Sequence, residues 1–162
     1  MSLIVSDANI FIDMEAGGLI RQMFHLPEIF SVPNILYEEE LLEHHPELPT
    51  YGLVILDIKP VFVSEAFRLG GIYNEPSQND LLALALAKQE KCPLLTGDGK
   101  LRRAAEKEAV EVKGTLWLMQ EMINKKLINY ETTKAAYDSM RAEGRRLPWD
   151  KIEKQLGEIV KN

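Results

Sequence analysis

Hydrophobic positions along this chain come in short dense runs, each closed by a polar cluster that starts something new. Leu3-Ile4-Val5 gives way at once to Ser6, Asp7 and Asn9, which marks a buried strand followed by a helix start. A helix over residues 9–16 stops at Gly17-Gly18, a second short one occupies 19–24, and 29–32 reads as a second strand. Pro33 suits the first turn of a helix over 34–44, because its missing N–H would have had no partner there. Pro46 and Pro49 mark a loop, 53–58 a third strand and 63–69 a short helix. Residues 70–76 form an irregular connection, of the kind that often lies over active sites.

The strongest helix signal is Ser77-Gln78-Asn79-Asp80 followed by LLALALA, good helix formers that are apolar nearly all round and must be buried on most faces. Residues 93–96 read as a short buried strand cut off by Gly97-Asp98-Gly99, and 100–108 as a charged surface helix. Residues 110–114 alternate like an edge strand, and Thr115 is placed to cap an amphipathic helix over 116–125. From Leu127 onward the pattern is helical only, with helices over 130–143 and 148–160 broken at Gly144. The alternation predicts an α/β domain with a mainly parallel sheet over residues 1–126, and a C-terminal helical extension over 127–162 packed on the same domain.

Composition narrows the function. The 46% hydrophobic and 27% charged fractions argue against disorder and fibrous repeats. No apolar segment approaches the ~18 residues needed to span a bilayer, and the N-terminal run is too short and too soon acidic for a signal peptide, so no membrane partner and a cytoplasmic location are expected. Cys92 is the single cysteine, which excludes an intrachain disulfide and a zinc–thiolate cluster and leaves oxygen or histidine as metal ligands. It reads as a small core residue, because no His is patterned to activate it. His44-His45 point in different directions on a helix, with only His25 elsewhere, and read as helix-end or loop histidines. The net charge of −6 means that a polyanionic substrate needs a local basic rim or bound cations. The most basic local sequence is Arg141, Arg145 and Arg146 beside Trp149, where Trp against a helix interface is favoured over Trp stacked on a base.

Four acids stand where strands end or helices begin, each with an ordinary explanation. Asp7 suits an N-cap, Asp80 closes a Ser-x-x-Asp capping box, Asp98 opens an Asp-Gly turn, and Glu38, Glu39 and Glu40 suit a solvated helix face. Joint placement shifts the balance: Asp7 and Asp98 end apolar runs, Asp80 opens a helix, and a Glu sits on the helix after Pro33, so all converge at one edge of a parallel sheet. Clustered carboxylates raise one another's pKa, and such a site makes physical sense with a divalent cation in it. Oxygen ligands suit Mg²⁺ or Mn²⁺, and the expected chemistry is phosphoryl transfer.

The succession SDAN, VPNILYEEEL, SQNDLLALALA, LLTGDGKLRRAA and VEVKGTLWLMQEM resembles the PIN domain (PilT N-terminus), the fold of the toxin ribonucleases called VapC, from about Leu3 to about Met122. LLTGDGKLRRAA followed by KGTLWL is its most specific part. The resemblance implies a three-layer α/β/α fold and a metal-dependent endoribonuclease acting on RNA, with an antitoxin protein as a partner and a homodimer as the assembly. Carried over residue by residue, it places metal ligands at Asp7, Glu39, Asp80 and Asp98, with Glu38 or Glu40 needing only a one-residue shift. It adds Asn9 and Thr96 as polar supports, and Lys100, Arg102 and Arg103 as a rim for RNA phosphates, although a solvated helix face is the favoured reading for any one of these three. The hydrolysis implied is an in-line displacement at phosphorus in which the carboxylates hold metal rather than attack.

Two other readings stand beside it. One is a PIN-like module that binds RNA or protein without catalysis. The other is a phosphohydrolase using Asp7 as a covalent nucleophile, but haloacid dehalogenase-like enzymes place a second Asp two residues later, where this chain has Asn9.

Overall fold

The apolar runs become five parallel strands: β1 (Leu3–Ser6), β2 (Ile29–Pro33), β3 (Val54–Leu56), β4 (Leu94–Leu95) and β5 (Val112–Lys113). They are ordered β3-β2-β1-β4-β5 in a computed structural model that describes residues 2–161; Met1 and Asn162, the outer limits of the two predicted segments, lie outside the described residues. Val5, Val32, Leu94 and Leu95 are wholly buried, as the inner strands of a parallel sheet covered on both faces must be. Register is fixed by Val5 opposite Ser31 on one side and Leu94 on the other.

Between the strands run α1 (Ala8–Ala16), α2 (Ile20–Met23), α3 (Asn34–Leu36), α4 (Leu48–Tyr51), α5 (Pro60–Ile72), α6 (Gln78–Glu90), α7 (Gly99–Lys107), α8 (Thr115–Asn124), α9 (Tyr130–Ala142) and α10 (Trp149–Lys161). α6 is buried along Leu81 to Ala87, as its unbroken apolar sequence requires, because it lies against β1, β2 and β4 on one side and against α5 and α7 on others. α1 packs on α2 and α9, and α2 on α8, so helices flank the sheet. Among the described residues no helix is long and apolar enough to cross a membrane.

Several local expectations give way to tertiary contacts. Pro33 ends β2 instead of opening a helix: its φ of −64° and ψ of 145° suit an extended residue, and it stands opposite Leu56. α5 runs on through Gly70-Gly71-Ile72, which read as loop, and ends where the Tyr73 N–H bonds the Leu69 carbonyl at 2.8 Å. The Pro46–Pro49 loop contains the single turn α4. α3 continues into a π-helical turn, Tyr37–Leu41, in which the Leu42 N–H bonds the Tyr37 carbonyl at 2.8 Å. Thr115 is the first residue of α8 and caps nothing; the cap position belongs to Gly114, where a Cβ would meet Arg102 Nη2 at 2.7 Å.

The C-terminal helices turn Ala136, Tyr137, Met140 and Ile152 inward. Gly17 admits α9 closely, for a Cβ there would meet Met140 Cε at 2.6 Å. The large apolar side chains left exposed are instead Leu42, Val54, Ile55, Val61, Phe67 and Ile72.

Candidate functional site

The chain leaves β1 for β2 and β3 on one side and returns on the other side as β4 and β5, so the order reverses between β1 and β4. In open parallel sheets the crevice beyond the carboxyl ends of the strands at such a reversal is where ligands bind. Asp7 follows β1 there, and Thr96 and Asp98 follow β4. The Asp7 N–H bonds the Leu95 carbonyl at 3.1 Å, holding the two strand ends together.

Each predicted aspartate does use an oxygen for capping, and the capping leaves the other oxygen for something else. Asp7 Oδ1 accepts from the Ile10 N–H at 3.1 Å at the start of α1, while Oδ2 accepts from Thr96 Oγ1 across the strand gap. Asp80 Oδ2 accepts from the Ser77 N–H at 3.1 Å in the reciprocal capping box of α6. Asp98 Oδ1 accepts from the Lys100 N–H at 3.0 Å at the start of α7. Thr96, wholly buried, joins two of them, because its hydroxyl donates to Asp7 and accepts from the Asp98 N–H at 3.0 Å.

Electrostatics link the rest. Burial pushes the Asp7 carboxyl up to about 7, against the pull of its bonds from Thr96 and Ile10, with Asp80 and Asp13 adding to the rise. Burial also raises Asp80, against its bonds from Ser77, and Asp98 raises it further. Glu40 is raised by burial, against an Asn79 bond, with Asp80 and then Glu39 adding. Asp80 thus acts on both Asp7 and Glu40, and Asp98 acts on Asp80. Glu39, the glutamate expected from the sequence, is exposed and takes the Asn79 amide on Oε1 at 3.0 Å. The π-helical turn carries Glu38, Glu39 and Glu40, so a regular helical spacing does not decide which of them faces Asp80.

Asp13 was not singled out from the sequence, and Arg145 was noted there only as part of the basic stretch beside Trp149. Asp13 is 5% exposed and accepts from Arg145 Nε at 2.6 Å, and Arg145 Nη2 reaches Asn9 Oδ1 at 3.4 Å. Asn9 and Asp13 stand four residues apart on an otherwise apolar helix, a polar pair on one face that was there to be read. Arg145 comes from 132 residues away and leaves no local trace. It lies in a cleft of about 460 Å³ with Asn9, Gly97, Asp98 and Arg146. The expected basic rim divides: Lys100 is 4.0 Å from Glu75 and shares a hollow with Arg103, whereas Arg102 turns toward Gly114.

Among the described residues, one group brings three potential ligand atoms within 4.8 Å of one another, and it is Glu15, His45 and Glu47, not the predicted acids. Glu15 lies in the last turn of α1, about 10 Å along the helix from its start at the strand edge, and His45 is paired with it. His45 is therefore more than a loop histidine, yet it lies away from the crevice.

The family model DUF3368, described as a PIN domain, matches residues 3–160. Among curated proteins none matches. Solved structures that match include the crystal structure of VapBC2 from Rickettsia felis bound to a DNA fragment from their promoter, with a TM-score of 0.48 and 14% identity, covering 69% of this chain and 98% of that one.

Proposed function

Because this chain belongs to the PIN domain family, matched over residues 3–160, we propose that it is an endoribonuclease that hydrolyses RNA phosphodiester bonds with Mg²⁺ or Mn²⁺. The observation that supports this most is the link from Asp7 through Thr96 to Asp98 across the strand-order reversal, with Asp7 buried and pushed up to about 7. A buried carboxylate is costly, and here Asp80 raises both Asp7 and Glu40 while Asp98 raises Asp80. A divalent ion removes that conflict.

The donor set fits such an ion. It is all carboxylate oxygen, and Mg²⁺ is commonly held by one or two carboxylates plus waters, so the acids need not crowd within one tight shell. Asp7, Asp80 and Asp98 are the proposed ligands. For the glutamate, we assign Glu40 ahead of Glu39, on the ground that Asp80 raises Glu40. Bound there, the ion supplies a water or hydroxide nucleophile and charge neutralisation at the phosphate.

The chain's own groups do the positioning. Thr96 fixes the rotamer of Asp7 and the backbone of Asp98 at once. The capping bonds at Ile10, Ser77 and Lys100 hold one oxygen of each aspartate, which orients the other. Arg145, anchored on Asp13, presents a fixed positive charge in the cleft beside Asp98, where a scissile phosphate needs one. The helical extension is part of this unit, since Arg145 lies in it. The resemblance to VapC further suggests a toxin controlled by an antitoxin.

In an assay on single-stranded RNA, cleavage is expected with Mn²⁺ or Mg²⁺ and to vanish with excess EDTA and in Asp98→Asn. Thr96→Val leaves the ligands in place but frees Asp7, and a loss of about 10–100-fold is expected, the size usual for groups that orient a ligand. Full activity in Asp98→Asn overturns the proposal. The wide spacing of the acids favours a second reading, a PIN-like RNA- or protein-binding module without catalysis, and calorimetry that finds no Mn²⁺ binding at pH 8 would decide for it.

A further inference from the structure

Next to the acidic crevice lies a second and larger cavity, about 700 Å³, of opposite electrical character. It is lined by Arg102 on α7, Lys113 on β5, Arg146 in the connection before α10 and Lys151 in the first turn of α10, with the first turn of α8 as its floor. Lys113 is partly neutralised by Glu111 at 3.2 Å and lies over the Trp117 ring at 4.7 Å. Arg102, Arg146 and Lys151 have no ion-pair partner among the described residues, in a protein whose net charge is −6. These three side chains are exposed, and with Lys113 they give this face a local positive potential that attracts an anion.

The floor makes the same demand by other means. α8 begins at Gly114, which has no side chain to cap it, and the first helical bond is from the Leu118 N–H to the Gly114 carbonyl at 3.1 Å. The N–H groups of Thr115, Leu116 and Trp117 are thus left for an outside acceptor, at the positive end of the helix dipole. Thr115 is 3% exposed, and its Oγ1 has no hydrogen-bond partner among the described residues. A buried hydroxyl without a partner is unfavourable, and Thr115 is among the residues that line the cavity. A Cβ placed on Gly97 would lie 3.4 Å from this oxygen, so the hydroxyl adjoins the loop that carries Asp98.

We propose that Thr115, Arg102, Arg146, Lys151 and the start of α8 form a phosphate-binding subsite. It takes the backbone phosphate of the RNA strand adjacent to the phosphate held at the carboxylates; this second statement rests on the ribonuclease reading, the first does not. Gly97 and Arg146 line both this cavity and the cleft at Asp98, which makes one continuous path for a strand. Basic groups and donors here hold substrate where the acids repel it. The subsite also supplies orientation, because a strand fixed at two neighbouring phosphates has one way to present the bond between them.

The test is equilibrium binding of a fluorescein-labelled single-stranded RNA decamer to the full chain in EDTA, where cleavage is silent, across a range of salt. Arg146→Ala/Lys151→Ala is expected to weaken binding about tenfold or more and to flatten the slope of log K against log salt by about 0.7, the value for one lost phosphate contact on a single strand. Thr115→Val removes the hydroxyl at nearly constant shape, and a threefold to tenfold loss with unchanged slope is expected, restored by Thr115→Ser. Amide signals of Leu116 and Trp117 should shift on titration with inorganic phosphate, and less so in Thr115→Val. Unaltered RNA affinity and slope in folded Arg146→Ala/Lys151→Ala overturn the subsite. If phosphate and RNA bind as described while the parent protein cleaves no RNA with Mn²⁺ or Mg²⁺, the subsite stands and the ribonuclease reading falls.

Discussion

Asp7→Asn lowers metal-dependent RNA cleavage by more than about 100-fold, beyond the 10–100-fold typical of groups that only orient a ligand. The same substitution makes the metal-free protein more stable at pH 8. Both follow from one observation: Asp7 is 1% exposed and its carboxyl is pushed up to about 7 by burial. A group whose folded pKa is raised favours the native state fully below its unfolded value, near 3.8, and that favour is lost as pH rises through about 7. Above that pH the metal-free native state holds an ionised carboxylate in a nearly dry place. Asn keeps the acceptor for the Ile10 N–H without the charge, so a gain of about 1–3 kcal/mol is expected in urea unfolding at pH 8, shrinking as pH falls toward 4. With Mn²⁺ present the order should reverse, because the parent gains binding energy that the variant cannot. A variant less stable than the parent in EDTA at pH 8 would mean that Asp7 is a cap alone.

Asp80→Asn is the second large effect, and it separates capping from chemistry. Asn Oδ1 can still accept from the Ser77 N–H, so the capping box of α6 survives and the melting temperature should move by only a few degrees. The charge that acts on both Asp7 and Glu40 is gone, and cleavage should fall by about 100-fold or more. Removing a neighbouring anion must also lower the Asp7 pKa, since Asp80 contributes to its rise. Carbon-13 NMR of the Asp7 carboxyl would read that shift in the metal-free protein. An Asp7 titration unchanged by Asp80→Asn would show the two acids to be independent.

The strand-to-carboxylate boundaries were legible in the sequence because two local signals coincided there. A run such as Leu3-Ile4-Val5 can only be buried, and the acid that follows must therefore lie at a strand end. The capping box at Ser77 and Asp80 was equally local and is present. What could not be read was whatever tertiary contacts decide. Glu39 and Glu40 differ by one residue, and the π-helical turn that carries them departs from the spacing that sequence periodicity assumes. The Gly70-Gly71 pair reads as a breaker by propensity, yet α5 runs on through it. Arg145 enters the cleft through a chain return that nothing near Asp13 announces. Thr115 was read as a cap, whereas its hydroxyl is buried without a partner beside a basic cavity.

The most direct test of the central claim, that the carboxylates at the β1–β4 reversal hold the catalytic cation, is anomalous diffraction from crystals soaked in Mn²⁺ at pH 8. The account predicts an anomalous peak bonded to Asp7 and to at least one of Asp80, Asp98 and Glu40, at about 2.0–2.2 Å from oxygen. A peak at Glu15, His45 and Glu47 with none at Asp7 would contradict it.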